Sequence, residues 1–207
     1  ALIALQELDG GEKLIPQDPP SGLLKPIINL YTQGQFIQAL SGISIMLERF
    51  PTSVILYNLA GASNAGLMQF DAAIDSYRHA LKIKPDYAVA YNNMGAAQND
   101  KGDLESAIQS YKEAIKIQPD YAEAYYNMGV SLKVKGDLNA AIQSYKKALK
   151  MKPNHAESYY NMGIALNDAG DSEAAIKSYK QALKVQPDYA AAYNNMGNAQ
   201  KKSGDLN

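Results

Sequence analysis

The chain has 207 residues, a formal net charge of -1 at pH 7 and no cysteine. Near neutrality argues against nucleic acid or an anionic membrane surface as a partner, because both require a positively charged patch. The absence of cysteine excludes disulfides, thiolate catalysis and cysteine metal ligands, and no apolar run is long enough for a transmembrane helix.

The N-terminal part of the chain departs from the pattern of the rest. Residues 1–19 contain a Gly10-Gly11 pair and several prolines, which predict an irregular arm, and their short apolar start does not fit a signal peptide. The compartment stays open, with the cytoplasm favoured over secretion. Residues 20–53 form a degenerate repeat, in which Pro26 predicts a short or kinked first helix. Its second helix, 37–50, is apolar all round, which predicts burial on more than one side.

From there the sequence is periodic. Prolines recur every 34 positions from Pro51 to Pro187, and Tyr-Asn-Asn-Met-Gly or Tyr-Tyr-Asn-Met-Gly recurs at 91, 125, 159 and 193. A fixed period of this length predicts a stacked array of one structural unit. The predicted units are 54–87, 88–121, 122–155 and 156–189, and 190–207 supplies only the first helix of another.

Each unit shows the pattern of two helices. In 122–155, Tyr125, Met128 and Leu132 follow the spacing of one helical face. Gly136 is suited to end that helix, and Asp137 is suited to cap the next. The second helix carries Ala141, Tyr145 and Ala148 on one face and ends before the proline at 153.

Two further local features are predicted from the same pattern. Asp120 with Glu123, and Asn154 with Glu157, have the spacing of N-terminal capping boxes. Gly129 and Ala141 are small, so we expect the two helices of the hairpin to approach most closely there. Tyr125 and Tyr145 would fill the space on either side.

This pattern of aromatic, Gly, Ala and Pro positions resembles the tetratricopeptide repeat family. The resemblance implies an all-α fold, a right-handed superhelical solenoid of antiparallel helix hairpins whose first helices line the concave side. It also implies a non-catalytic scaffold that binds an extended peptide segment, of another protein or of its own chain, in the concave groove. We expect no enzymatic activity, no cofactor and no metal, because His79 and His155 lie in different units and no phosphate-loop motif occurs.

An asparagine occupies one position in four successive units: Asn93, Asn127, Asn161 and Asn195. An amide both donates and accepts hydrogen bonds. Packed helices lie about 8 to 10 Å apart and a strand rises about 3.3 Å per residue, so one asparagine would meet about every third ligand residue. The row is similar to the asparagine ladder in the repeat domain of O-linked N-acetylglucosamine transferase, which implies contacts with a peptide backbone. The alternative is that the amides hydrogen-bond between adjacent first helices and only stiffen the array.

The residues beside this row vary between units and are further candidates for peptide binding. Tyr126 and Tyr160 are the most suggestive, because aromatic anchors are typical of binding hot spots. The alternative for each candidate is an ordinary surface position. The full set beside the row is Asn92, Tyr126, Tyr160, Asn194, Glu123, Glu157, Lys133 and Asn167.

The sequence also allows functions other than a scaffold. The alternative is that the chain is the repeat region of a larger multidomain enzyme, such as a glycosyltransferase or a sulfotransferase, whose catalytic domain would follow residue 207. RNA binding is disfavoured, since the chain is near neutral and its groove positions are almost constant. Tyr193 and Met196 form an apolar stripe on the last helix, which predicts self-association through that end.

Overall fold

The computed structural model describes residues 17–204, and within this range the chain forms eleven α-helices and no β-strand. It divides into two compact units, unit 1 (Ala1–Asp103) with α1 to α5 and unit 2 (Leu104–Asn207) with α6 to α11. Most of the predicted arm at 1–19 and the last residues, 205–207, lie outside the described range. The helices are α1 Ser21–Thr32, α2 Phe36–Arg49, α3 Val54–Gly66, α4 Phe70–Ile83, α5 Ala88–Lys101, α6 Leu104–Ile117, α7 Ala122–Lys135, α8 Leu138–Met151, α9 Ala156–Asp168, α10 Ser172–Val185 and α11 Ala190–Ser203.

Within each unit the helices are stacked hairpins. Consecutive helices are joined by two to four residues, and in unit 2 each helix from α6 to α10 contacts the next one along the chain. In unit 1 the same holds from α1 to α4. Short connections between contacting helices make the neighbours antiparallel, as the sequence predicted.

The predicted boundary between the first and second helix of a unit is confirmed at α7 and α8. α7 ends at Lys135, and Gly136 adopts the left-handed conformation with φ of 90°. The Asp137 side chain accepts a hydrogen bond from the backbone N–H of Ala140 at 3.1 Å. Glycine removes the steric cost of that conformation, and the carboxylate satisfies a backbone donor at the start of α8.

The predicted capping boxes are wrong. α7 begins at Ala122 with Tyr121 at the N-cap position, and no side chain caps it. The backbone N–H of Tyr121 donates to Gln118 O at 3.1 Å, so 118–121 form a turn that places Asp120 ahead of the helix. α9 likewise has His155, and not Asn154, at its N-cap. The turn after the proline therefore shifts each helix start by one residue.

In the α3–α4, α7–α8 and α9–α10 hairpins a glycine lies against a tyrosine ring. The sequence predicted close approach at Gly129, but it placed Ala141 opposite and Tyr145 to one side. A Cβ atom at Gly129 would lie 2.7 Å from Tyr145 Cε1, and one at Gly163 would lie 2.5 Å from Tyr179 Cε1. Ala141 is fully buried, as is Tyr145. The helices can approach this closely because the glycine leaves room for the ring.

The first hairpin of unit 1 corrects one expectation, on the burial of α2. Pro26 lies inside α1, which continues through it and, with 12 residues, is shorter than the other described helices. The predicted burial of α2 on more than one side is wrong for Ile37 and Ile45, whose exposed fractions are 67% and 68%.

Before α1, Asp18 Oδ1 accepts hydrogen bonds from Ser53 Oγ at 2.6 Å and from Ile55 N at 3.1 Å. Asp18 thereby holds this part of the chain against the start of α3.

Candidate functional site

Unit 2 places the first helices of its hairpins side by side. α9 contacts both α7 and α11, and these three helices carry the half-buried side chains of Asn127, Asn161 and Asn195. Tyr126 and Tyr160 directly precede two of the asparagines. We call the surface formed by these three asparagines and two tyrosines the amide face.

Tyrosine hydroxyls connect the amide face across neighbouring helices. Asn161 Nδ2 donates to Tyr126 Oη at 3.2 Å, and Asn195 Nδ2 donates to Tyr160 Oη at 3.1 Å. The amides therefore do bond between adjacent first helices, as the stiffening alternative supposed. A hydroxyl that accepts one hydrogen bond still has its own proton to donate, so both tyrosines keep the capacity to bond a ligand carbonyl.

Asn161 has two further partners. Its Nδ2 also donates to Glu157 O at 3.1 Å, and Lys133 Nζ donates to its Oδ1 at 3.1 Å. Both ends of this amide are engaged within unit 2. A peptide that contacts Asn161 has to use the second lone pair of Oδ1 or replace one of these bonds.

The two tyrosines of the amide face rest on core rings and are half-buried. Tyr126 lies 6.0 Å from the Tyr145 ring and 5.0 Å from the His155 ring, measured between centroids. Tyr160 has the equivalent neighbours, at 6.1 Å from Tyr179 and 4.8 Å from Tyr189. Burial, with a smaller effect of the Glu157 charge, raises the pKa of Tyr126. Its hydroxyl is therefore neutral at physiological pH and available as a donor.

A cavity of about 270 Å³ opens beside Tyr126 and Asn127. Its charged lining groups are Glu123 and Lys152, and His155 lies at its edge. His155 Nδ1 lies 2.6 Å from Ser158 Oγ, and its Nε2 lies 3.6 Å from Glu157 Oε2. The cavity thus combines an aromatic wall, an amide and charges of both signs, which suits a polar side chain of a ligand.

The remaining candidates of unit 2 lie around this face in different environments. Glu123, Glu157 and Asn194 are exposed. Asn167 is half-buried, and its Oδ1 accepts from Ser172 Oγ at 3.3 Å. Asn167 therefore has a local partner at the end of α9, which weakens the argument for a contact between its side chain and a ligand.

Unit 1 contains one asparagine of the predicted row, and it too is bonded to the preceding first helix. Asn93 Nδ2 donates to Asn58 Oδ1 at 3.1 Å. Asn58 was not among the predicted residues, although it occupies the place in α3 that Tyr126 occupies in α7, two periods later. Asn92, a predicted groove residue, is only 1% exposed. A side chain this deeply buried is poorly placed to meet a ligand.

A comparison with protein-family models agrees with the repeat seen in sequence and structure. The model described as a TPR repeat matches residues 69–101, 99–134, 132–170 and 163–204, which together cover more than half of the chain. The chain belongs to the tetratricopeptide repeat family. No curated protein matches it significantly.

Solved tetratricopeptide structures share its fold. The crystal structure of MamA is 26% identical, with a TM-score of 0.71, over 78% of this chain and 95% of MamA. YrrB, titled a TPR protein with an unusual peptide-binding site, is 19% identical with a TM-score of 0.68, over 94% of this chain and 96% of YrrB. TTC0263, a thermophilic TPR protein from Thermus thermophilus, is 20% identical with a TM-score of 0.68, over 87% of this chain and 98% of its own.

Two further observations on the tetratricopeptide array concern metal binding and membrane-spanning helices. Among residues 17–204, no three side chains of His, Cys, Asp or Glu come together in a way that could hold a metal ion. In the same range, none of the helices has the length and apolar character needed to cross a membrane.

Proposed function

We propose that this tetratricopeptide array is a non-catalytic scaffold that binds an extended segment of another protein along the amide face of unit 2. Membership of the repeat family supports a role in protein interaction. The observation that carries the finer proposal is the repeated Asn-to-Tyr bond, Asn161 to Tyr126 and Asn195 to Tyr160. Through these bonds, equivalent hydroxyl donors, those of Tyr126 and Tyr160, are held on the neighbouring first helices α7 and α9.

The bonds also revise which atoms are expected to meet the peptide. Asn161 and Asn195 each donate an N–H to a tyrosine hydroxyl, and that bond restricts the orientation of the hydroxyl. A hydroxyl held in place by an amide loses less conformational freedom on binding than a free one. We therefore assign the backbone contacts to the Tyr126 and Tyr160 hydroxyls, which Asn161 and Asn195 hold in place. Asn127 lines the cavity beside Tyr126.

The cavity beside Tyr126 adds a position for a side chain of the same segment. It lies against Tyr126 and Asn127, so a backbone bonded to the Tyr126 hydroxyl would pass over its mouth. Because Glu123 and Lys152 both line it, a polar group is favoured there over an aliphatic one.

The test uses the intact chain as bait for a displayed library of random 12-residue peptides. At least one group of the selected peptides should bind Tyr126→Phe and Asn161→Ala about tenfold more weakly, the effect of losing one hydrogen bond of average strength. Asn139→Ala, an exposed asparagine on α8, is the matched control and should bind as the unchanged chain does. Equal affinity of all these variants would refute the proposal.

A second measurement separates binding from stiffening. In a double-mutant cycle on the free energy of unfolding, Asn161→Ala and Tyr126→Phe should show a coupling of about 1 kcal/mol, because they remove the same hydrogen bond. If that coupling appears while peptide affinity is unaffected, the row only stiffens unit 2 and the binding role is wrong.

A further inference from the structure

Unit 1 contains a cavity of about 370 Å³ between α2, α3 and α4. Its floor is apolar and is formed by Leu40, Ile43, Leu47 and Ala60. The other lining residues are Ser44, Tyr57, Asn64, Ala72, Asp75, Ser76 and His79. An apolar floor with a few polar groups at the mouth, in this volume range, is the usual composition of a ligand pocket.

The cavity arises because unit 1 has a small residue where the later repeats have a large one. Ala60 on α3 stands at the position that methionine occupies in every later first helix: Met94, Met128, Met162 and Met196. In unit 2, Met162 packs into one core cluster with Ile142 and Tyr145 of the preceding helix. At the place where Met162 lies in unit 2, unit 1 has the side chain of alanine and open space.

On α2, which faces Ala60, two side chains are also smaller than their counterparts in the later repeats. Ile43 on α2 takes the position of a tyrosine that is almost fully buried in each later repeat: Tyr77, Tyr111, Tyr145 and Tyr179. Ser44, beside it, takes the position of a long basic side chain: Arg78, Lys112, Lys146 and Lys180. Ile43 and Ser44 both line the cavity, so the shorter side chains at these two positions leave more open space there.

The mouth carries hydrogen-bonding groups on α3 and α4. Tyr57 and His79 stack at 5.2 Å between ring centroids, and Asn64 Nδ2 donates to Ser76 Oγ at 3.4 Å. These groups can bond a polar backbone that lies over an apolar floor. The composition matches one residue of a peptide, with its side chain inward and its amides at the mouth.

The apolar surface continues along α2 beyond the cavity. Ile37 lies seven residues before Ser44, so both project from the same side of the helix, and Ile37 is 67% exposed. Seven residues of helix span about 10 Å, which is further than one side chain or one small solute covers. A segment of protein can cover both positions.

We propose that this cavity receives a methionine-sized or leucine-sized apolar side chain of a partner protein, whose segment runs along α2 over Ile37. This site is independent of the amide face of unit 2. The partner side chain would take the place that the later repeats fill with their own methionine.

The test replaces the missing residue. Ala60→Met should fill the cavity, leave the melting temperature equal or higher, and weaken binding of peptides selected from the 12-residue library by at least about tenfold, the order expected for a buried side chain of this size. Ser44→Lys, which restores the basic residue at the mouth, should weaken the same peptides without altering the core. Ala190→Met, at an exposed position on α11, is the control and should have no effect.

The outcomes separate this site from the amide face. The proposal is supported by peptides that lose affinity with Ala60→Met and Ser44→Lys but not with Asn161→Ala. These peptides should carry Met or Leu at one shared position. If every selected peptide binds Ala60→Met and Ser44→Lys as tightly as the unchanged chain, the proposal is wrong. If selection on the intact chain yields no peptide sensitive to Ala60→Met, and selection on a variant that lacks residues 1–15 does, the occupant belongs to the chain itself and a partner protein is excluded.

Discussion

The helices α2, α3 and α4 of unit 1 and the helices α8, α9 and α10 of unit 2 are equivalent parts of the repeat, and they differ in the contact between hairpins. Inside the hairpin they are alike: a Cβ at Gly61 would lie 2.5 Å from Tyr77 Cε1, and one at Gly163 would lie 2.5 Å from Tyr179 Cε1. Between hairpins they differ, because Met162 fills in unit 2 the position that Ala60 leaves open in unit 1.

This difference shows which contact the repeat can vary. The glycine and tyrosine of a hairpin are interlocked, since one cannot change size unless the other changes as well. In the α1–α2 hairpin isoleucine occupies both places, at 27 and 43. The contact between hairpins lies at a surface groove, where a smaller residue opens a cavity to solvent. New binding sites are therefore expected between hairpins and not within them.

The largest predicted effect tests whether the hairpin interiors are equivalent. Gly61→Ala and Gly163→Ala should each lower the free energy of unfolding by about 3 kcal/mol, because the new methyl group overlaps a buried ring. Urea unfolding followed by circular dichroism measures it. In the control Gly197→Ala no atom lies within 4 Å of the new Cβ, so stability should stay the same or rise by up to about 1 kcal/mol through helix propensity. A cost at Gly197 equal to that at Gly163 would contradict the comparison.

A smaller effect is predicted where the two regions differ. Met162→Ala should lower the free energy of unfolding by about 2 kcal/mol, the lower end for truncation of a methionine because this side chain is half-buried. It should also open between α8, α9 and α10 a cavity like the one in unit 1. A crystal structure of the variant would show it. Collapse of α9 onto α8, with no cavity, would mean that unit 1 holds its cavity open by some other means.

The smallest effect concerns the turns between the paired helices. Met68 adopts a left-handed φ of 59°, whereas Gly170 adopts 91° at the equivalent turn. The left-handed conformation costs a residue with a side chain about 1 kcal/mol, so Met68→Gly should raise the free energy of unfolding by about that amount. The reverse change, Gly170→Met, should lower it by a similar amount. No change in either variant would show that these turns do not limit stability.

The period in the sequence was enough to predict the helices, the hairpins and the family. Glycine at 136 and aspartate at 137 end one helix and cap the next by local backbone geometry. Close helix approach at Gly129 was predictable because the glycine recurs in step with the period, but the structure decided that the Tyr145 ring lies against it. The capping boxes failed because a turn hydrogen bond at Tyr121, which no local motif indicated, shifted the helix start.

The amide face was only partly accessible to the same reasoning. The sequence predicted the row of asparagines, but the tertiary structure decided that Asn161 and Asn195 bond to tyrosines 35 positions earlier, and that Asn92 is buried. It also decided that Ala60 and Ile43 leave a cavity. Local sequence determines helix ends and faces because those depend on neighbours within a turn. Which side chain meets an amide, or fills the space beside a methyl group, depends on residues a full repeat away, and only packing brings them together.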